Sequence, residues 1–107
     1  MTQKSSHMDI VCKLDVFTTA EREHHIQDAQ QVMSRRLESV ELPNGYAFRY
    51  VAEGDIVRLL GAFIDDERKC CPFFHFTLEV EPGSENIWLK LTGPAEVKTF
   101  IAAEMGS

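Results

Sequence analysis

Two adjacent cysteines, Cys70 and Cys71, follow Glu67 within the segment ERKCCPFFHF. A thiolate is a soft metal ligand and a nucleophile, and a protonated thiol packs as a small apolar side chain. The segment therefore allows three roles: binding of a soft metal ion, covalent catalysis, or packing. Adjacent Cα atoms are about 3.8 Å apart, closer than a relaxed disulfide needs, so we expect no bond between these two sulfurs.

These residues belong to a predicted helix that opens at Gly54 or Asp55 and ends at Pro72, because the residue before a proline avoids helical geometry. Its apolar residues recur at helical spacing, and they are Ile56, Leu59, Leu60, Phe63 and Ile64. Glu67 falls near the middle of that stripe at about 100° per residue, and Cys70 and Cys71 lie on either side of it one turn later. The sequence thus predicts a carboxylate and two thiols on the side of the helix that faces the core.

The position of the cysteines in the helix helps to separate metal binding from catalysis. Reactive cysteines are typical of helix N-termini, whereas the negative end of the helix dipole disfavours a thiolate and favours a cation. Thiolates select soft ions such as Cu(I), Zn(II) and Hg(II). A buried Glu67 also needs a partner, and Arg49 is a candidate. His24 and His25 are expected to be exposed helix residues.

The first elements of the chain add a third cysteine to the candidate site. Residues 10 to 17 alternate as a half-buried strand that turns Cys12 inward, so the predicted metal site comprises Cys12, Glu67, Cys70 and Cys71. For Cys12 alone, simple packing is favoured. Thr18 and Glu21 form a predicted capping box, which opens a helix over residues 19 to 40. The expected buried stripe of that helix is Ile26, Ala29, Met33, Leu37 and Val40.

Three further strands are predicted at about residues 46 to 51, 74 to 81 and 87 to 92, and a last helix follows Pro94. Val97, Phe100 and Ile101 are expected to face inward from it. The order β-α-β-α-β-β-α, with one apolar face per strand, predicts an α+β two-layer domain with a mixed sheet and helices on one face. The other face carries His75 and Trp88, and it is expected to be either open to solvent in a monomer or covered in a homodimer for which Trp88 is the natural anchor.

Size and charge restrict the classes of partner. The chain has 107 residues, of which 44% are hydrophobic, and its net charge is -6, which indicates one globular domain without the basic surface that nucleic acid or anionic lipid requires. The N-terminus lacks a signal-peptide pattern, so we expect a cytoplasmic protein with reduced cysteines. The expected domain covers residues 8 to 105. Residues 1 to 7 and 106 to 107 are expected to be tails, either disordered or left by cloning.

Several motifs resemble those of a group of small bacterial proteins of largely unassigned function. The shared features are an early C-x-L, here Cys12 and Leu14, the sequence G-Y-x-F-R-Y at residues 45 to 50, and the Glu-x-x-Cys-Cys-Pro-Phe signature at residues 67 to 73. The similarity covers most of residues 10 to 103. Members of the group are often associated with mercury or arsenic resistance, so the resemblance implies chemistry with soft metals and supplies no mechanism.

Together these patterns predict a cytoplasmic protein that binds a soft metal or metalloid through Cys70 and Cys71, with Cys12 and Glu67 in support. A soft metal ion or a small molecule is then the expected partner, and Zn, Cu or Hg is the expected ion. Two alternatives stay open. One is a thiol enzyme with a cysteine nucleophile and Glu67 as base. The other is a non-catalytic ligand or interaction module whose cysteines only pack.

Overall fold

The fold is taken from a computed structural model, which describes residues 14–105. A short 3-10 turn (Leu14–Val16) leads into helix α1 (Thr19–Arg35), and strands β1 (Glu38–Leu42) and β2 (Gly45–Val51) follow. Helix α2 (Ile56–Cys70), strands β3 (His75–Val80) and β4 (Asn86–Thr92), and helix α3 (Val97–Met105) complete the chain. None of the helices in this part of the chain is long and apolar enough to cross a membrane.

The four strands form one sheet in the order β1-β2-β4-β3, and every neighbouring pair is antiparallel. One face of the sheet packs beneath the helices. Its buried residues pair across β2 and β4, with Phe48 opposite Leu89 and Tyr50 opposite Ile87. Residues of all three helices join the same core, namely Val32, Leu60, Phe63, Val97 and Ile101. The predicted α+β two-layer class, with helices on one face of the sheet, is confirmed, whereas the described sheet is antiparallel and not mixed.

The start of the chain differs from the prediction. Residues 14 to 16 form a 3-10 turn where a strand was expected, and residues 10 to 13, including Cys12, lie outside the described part. The expected tails at 1 to 7 and 106 to 107 lie outside it as well. The capping box is confirmed, since Thr18 Oγ1 accepts from the Glu21 N–H at 3.1 Å and Glu21 Oε1 accepts from the Thr18 N–H at 2.9 Å.

Helix α1 ends at Arg35, and β1 occupies residues that were predicted to continue the helix. The buried residues of α1 are His25, Asp28 and Val32, so the predicted stripe was displaced by one position along the helix. Ala29 and Met33 pack against the core as predicted, whereas Ile26, Leu37 and Val40 are exposed. Leu37 and Val40 lie beyond the end of the helix, so they do not continue its buried face. The predictions for β2, α2, β3 and β4 are confirmed with small changes at their ends.

Candidate metal site

The C-terminal half of α2 supplies two residues of the candidate site. Its stripe of buried residues continues from Phe63 to Glu67 and Cys70, as the helical spacing predicted. The helix stops at Cys70 because Pro72 prevents continuation, and the Cys71 N–H donates to the Glu67 carbonyl oxygen at 2.7 Å. This termination leaves the Glu67 and Cys70 side chains beside each other on the side of α2 that meets α1.

Helix α1 supplies the third residue, His25, which is 4% exposed. Its imidazole is stacked on the Phe63 ring at a centroid separation of 5.8 Å, and the Phe17 ring lies 5.5 Å away on a tilt. The expectation that His25 is an exposed helix residue was therefore wrong, whereas His24 is exposed as expected. The signal in the sequence is its spacing: His25 precedes Val32 by seven residues, which places both on one face of a helix.

A short contact joins the two helices inside the core. His25 Nε2 lies 2.7 Å from Glu67 Oε1, and both residues are buried. This contact gives Glu67 the partner that a buried carboxylate needs. Arg49, the partner considered from the sequence, instead pairs with Glu38 at 2.8 Å and donates to Asn86, so that assignment is corrected. Arg49 lies on the sheet face opposite the core, because its neighbours Phe48 and Tyr50 face the helices.

The Cys70 sulfur completes the cluster. It lies 3.8 Å from His25 Nε2 and 3.7 Å from Glu67 Oε1. One potential ligand atom from each of the three residues therefore lies within 4.8 Å of the other two, and all three residues are buried. This His–Glu–Cys cluster, the HEC cluster, is compatible with metal binding.

Charge and burial shift the pKa values of His25 and Cys70 in the HEC cluster. Burial by itself lowers the pKa of His25, but the hydrogen bond to Glu67 and the charge of its carboxylate outweigh burial and raise the pKa above its ordinary value of 6.5. Burial raises the pKa of the Cys70 thiol to about 12, and the adjacent Glu67 carboxylate adds to the effect. At neutral pH without a cation, Cys70 is therefore a protonated thiol.

Cys71 is fully buried, and its sulfur lies 3.6 Å from that of Cys70. The two sulfurs are not bonded to each other, as the spacing of adjacent residues predicted. Cys70 is a free thiol, whereas Cys71 is disulfide-bonded, contrary to the expectation of reduced cysteines. The predicted role of Cys12 in the site lies outside the described residues.

A surface cleft of about 380 Å³ adjoins the HEC cluster on the side of Phe17. It lies between the start of α1 and the end of α2, and its charged lining residues are Glu21, Asp66 and Lys69. Phe17 lines the cleft, and its ring centroid lies 5.5 Å from that of His25, so one side chain borders both the cleft and the cluster. His75 is exposed on the opposite face of the sheet and takes no part in the site, as its strand position predicted.

A scan against family models finds no match, and searches of the curated proteins and of the solved structures find none either.

Proposed function

We propose that this protein binds a soft or borderline transition-metal ion in the HEC cluster. The observation that carries the proposal is the convergence of a nitrogen, an oxygen and a sulfur ligand from two helices on one buried point. Such a mixed donor set suits Zn(II), and the thiolate extends the range to Cu(I) and Hg(II). The negative end of the α2 dipole and the Glu67 carboxylate both favour a cation there.

The distances within the HEC cluster support this proposal. At usual zinc bond lengths, a tetrahedral ion would set its nitrogen and oxygen ligands about 3.3 Å apart and its sulfur about 3.5 Å from each. The two separations from the Cys70 sulfur, 3.8 and 3.7 Å, already match to within about 0.3 Å. The separation of His25 Nε2 from Glu67 Oε1 is 2.7 Å, so a bound ion would have to part these two atoms by about 0.6 Å.

Cys71 is the natural source of a fourth ligand once its disulfide is reduced. Two thiolates on one tetrahedral zinc ion lie about 3.8 Å apart. The observed separation of the Cys70 and Cys71 sulfurs, 3.6 Å, is close to that value. The proposed reduced site therefore has the ligands His25, Glu67, Cys70 and Cys71. Cys12 stays a prediction from the sequence.

The alternative of a thiol enzyme is less well supported. In a Cys–His–acid triad, the thiol and the carboxylate contact different nitrogens of the imidazole, so that a proton can pass through the ring. Here Cys70 and Glu67 approach the same nitrogen, Nε2 of His25. The pKa of Cys70, raised to about 12 by burial, also keeps the nucleophilic thiolate scarce at neutral pH.

The test is a metal titration of the protein, first reduced with an excess of thiol, against Zn(II), Cu(I) and Hg(II) in the presence of a competing thiol. The variants are His25→Gln, Glu67→Gln and Cys70→Ser. The matched control is His75→Gln, which removes an exposed histidine from the far face of the sheet. We expect one tight site in the wild type and the control, loss of tight binding in Cys70→Ser, and weaker binding in the other two variants.

Proton release gives an independent readout of the same event. A metal displaces protons from the Cys70 thiol and from His25, so binding should release protons and tighten as the pH rises. If the wild type binds none of the three ions more tightly than the competing thiol does, the HEC cluster is not a metal site. Equal binding by wild type and Cys70→Ser would overturn the assignment of the ligands.

A further inference from the structure

Two buried polar atoms on α1 have no hydrogen-bond partner among the described residues. They are Nδ1 of His25 and Oδ2 of Asp28. The two residues are 4% and 9% exposed, so the surrounding protein covers both of them almost completely. Buried polar groups in folded proteins are nearly always paired, and an orphaned pair of this kind calls for a physical explanation.

These atoms belong to residues three positions apart on one helix, which puts the two side chains on the same face one turn apart. The other ring nitrogen of His25, Nε2, points at Glu67 and Cys70. His25 therefore presents one nitrogen to the HEC cluster and has the second available for a different group.

We propose that Asp28 is the positioning residue for His25 as a metal ligand: its carboxylate accepts the Nδ1 proton, directly or through one water molecule. The inference rests on the proposed function. An imidazole that binds a metal through Nε2 gives up the proton at that atom to solvent and keeps its remaining proton on Nδ1. That remaining N–H needs an acceptor, and carboxylates commonly supply it in metal sites. Asp28 Oδ2 lies one turn away on the same helix face and accepts no hydrogen bond from the described residues, so it can serve as that acceptor.

His24 is the competing partner of Asp28. Its Nε2 lies 3.4 Å from Asp28 Oδ2 without forming a hydrogen bond, and its side chain is 70% exposed. A solvated histidine pairs only weakly with a carboxylate. Loss of His24 should therefore leave Asp28 free to serve His25, and the variant His24→Gln is a control for changes in local charge.

The experiment measures Zn(II) affinity by competition with a chelator, using reduced wild type, Asp28→Leu, Asp28→Asn and His24→Gln. Asp28→Leu removes the acceptor and keeps the branched shape of the side chain, whereas Asp28→Asn keeps a weaker carbonyl acceptor. We expect Asp28→Leu to bind zinc about 10- to 100-fold more weakly. Asp28→Asn should fall between Asp28→Leu and the wild type, and His24→Gln should bind as the wild type does.

Nitrogen NMR of the His25 ring separates positioning from a general loss of stability. In the zinc-loaded wild type, we expect Nε2 bound to metal and a protected, downfield proton on Nδ1. In zinc-loaded Asp28→Leu, that proton should move upfield and exchange faster.

Wild-type affinity and an unchanged Nδ1 proton in Asp28→Leu would overturn the proposal. If Asp28→Leu does not fold, the same two results in Asp28→Asn would overturn it instead. A wild type that binds none of Zn(II), Cu(I) and Hg(II) would overturn the proposed function, and this inference with it. If it binds Cu(I) or Hg(II) but no zinc, the same comparison of variants is made with that ion.

Discussion

The contact between His25 and Glu67 pairs two buried polar side chains from different helices. Both side chains are buried, and removing one partner of such a pair leaves the other without its compensating charge. The contact joins residues 42 positions apart in the chain, so it also fixes α1 against α2. The contribution of this contact to the free energy of unfolding can therefore be measured without any metal.

We expect His25→Phe, in the presence of a chelator, to lower the free energy of unfolding by about 3–5 kcal/mol, because Glu67 is left buried and unpaired. The phenyl ring retains the packing on Phe63. Adding Glu67→Leu should restore most of the loss, since an apolar pair of similar volume often replaces a buried ion pair at little cost. Urea unfolding of the single and double variants measures both effects. A single variant as stable as the wild type would contradict the importance of the contact.

The same pair should make the stability of the metal-free protein depend on pH. The pKa of His25 is raised in the folded state, so the stabilisation from its charged form is complete below the ordinary value of 6.5. It is lost as the pH rises through the raised pKa. Urea unfolding at a series of pH values from about 6 to about 9 should show the wild type losing stability relative to the double variant His25→Phe/Glu67→Leu. A constant difference across that range would mean that His25 does not gain charge on folding.

At the level of single residues, the sequence predicted two of the three residues of the HEC cluster, and it implied that Glu67 has a partner. The strong helical periodicity of α2 placed Glu67 and Cys70 correctly and implied that Glu67 needs a partner. His25 was missed because α1 has a weak apolar pattern, in which Ile26 suggested the wrong face. Two of the three buried residues of α1 are polar, and hydrophobic spacing cannot identify them.

The secondary-structure elements also divide into those that the sequence predicted and one strand that it did not. Burial alternates along β4 and, apart from the adjacent buried residues Ala47 and Phe48, along β2, and α2 has an uninterrupted stripe, so all three were predicted. Strand β1 was not, because its two apolar residues, Val40 and Leu42, are too few to establish an alternating pattern, and Val40 also fitted the helical stripe predicted for α1. Pairing with β2 creates this strand, through a two-residue turn in which Leu42 faces Gly45. Tertiary pairing of this kind overrides local preference and is not visible in a periodicity.

Gly45, at the start of β2, is a position where we expect substitution to lower the stability of the sheet. A Cβ atom added there would lie 1.9 Å from the Leu91 carbonyl oxygen of β4, and a backbone atom cannot move aside cheaply. Gly45→Ala should therefore lower the free energy of unfolding by at least about 1–3 kcal/mol. Gly61→Ala is the matched control, because nothing lies within 4 Å of an added Cβ in the middle of α2.

We expect the Gly61→Ala control to raise the free energy of unfolding by about 0.5–1 kcal/mol, since alanine loses less conformational freedom in a helix than glycine does. Thermal or urea unfolding of both variants provides the comparison. A Gly45→Ala protein as stable as Gly61→Ala would mean that β2 and β4 do not approach as closely as described.

For the whole molecule, the sheet face opposite the core is the surface through which a homodimer is predicted to form. Trp88 is partly exposed at its centre, between Arg49 and Glu79 on the neighbouring strands. The ion pairs Glu38–Arg49 and Glu79–Lys90 lie on the same face. A homodimer through the Trp88 face stays a prediction. Sedimentation at increasing concentration should show association in the wild type and none in Trp88→Lys, and a wild type that stays monomeric at every concentration contradicts it.

Because the buried side of α1 is largely polar, we expect this helix to open locally before the rest of the domain. Of the three buried residues in this helix, only Val32 is apolar, whereas α2 buries Ile56, Leu59, Leu60 and Phe63. Regions held by few apolar contacts open locally at lower free energy than the rest of a domain. Native-state hydrogen exchange of the metal-free protein should therefore show α1 amides exchanging through a partial opening while the amides of α2 and β4 stay protected. A bound ion would tie His25 to Glu67 and Cys70, so occupancy of the site should slow exchange across the whole of α1.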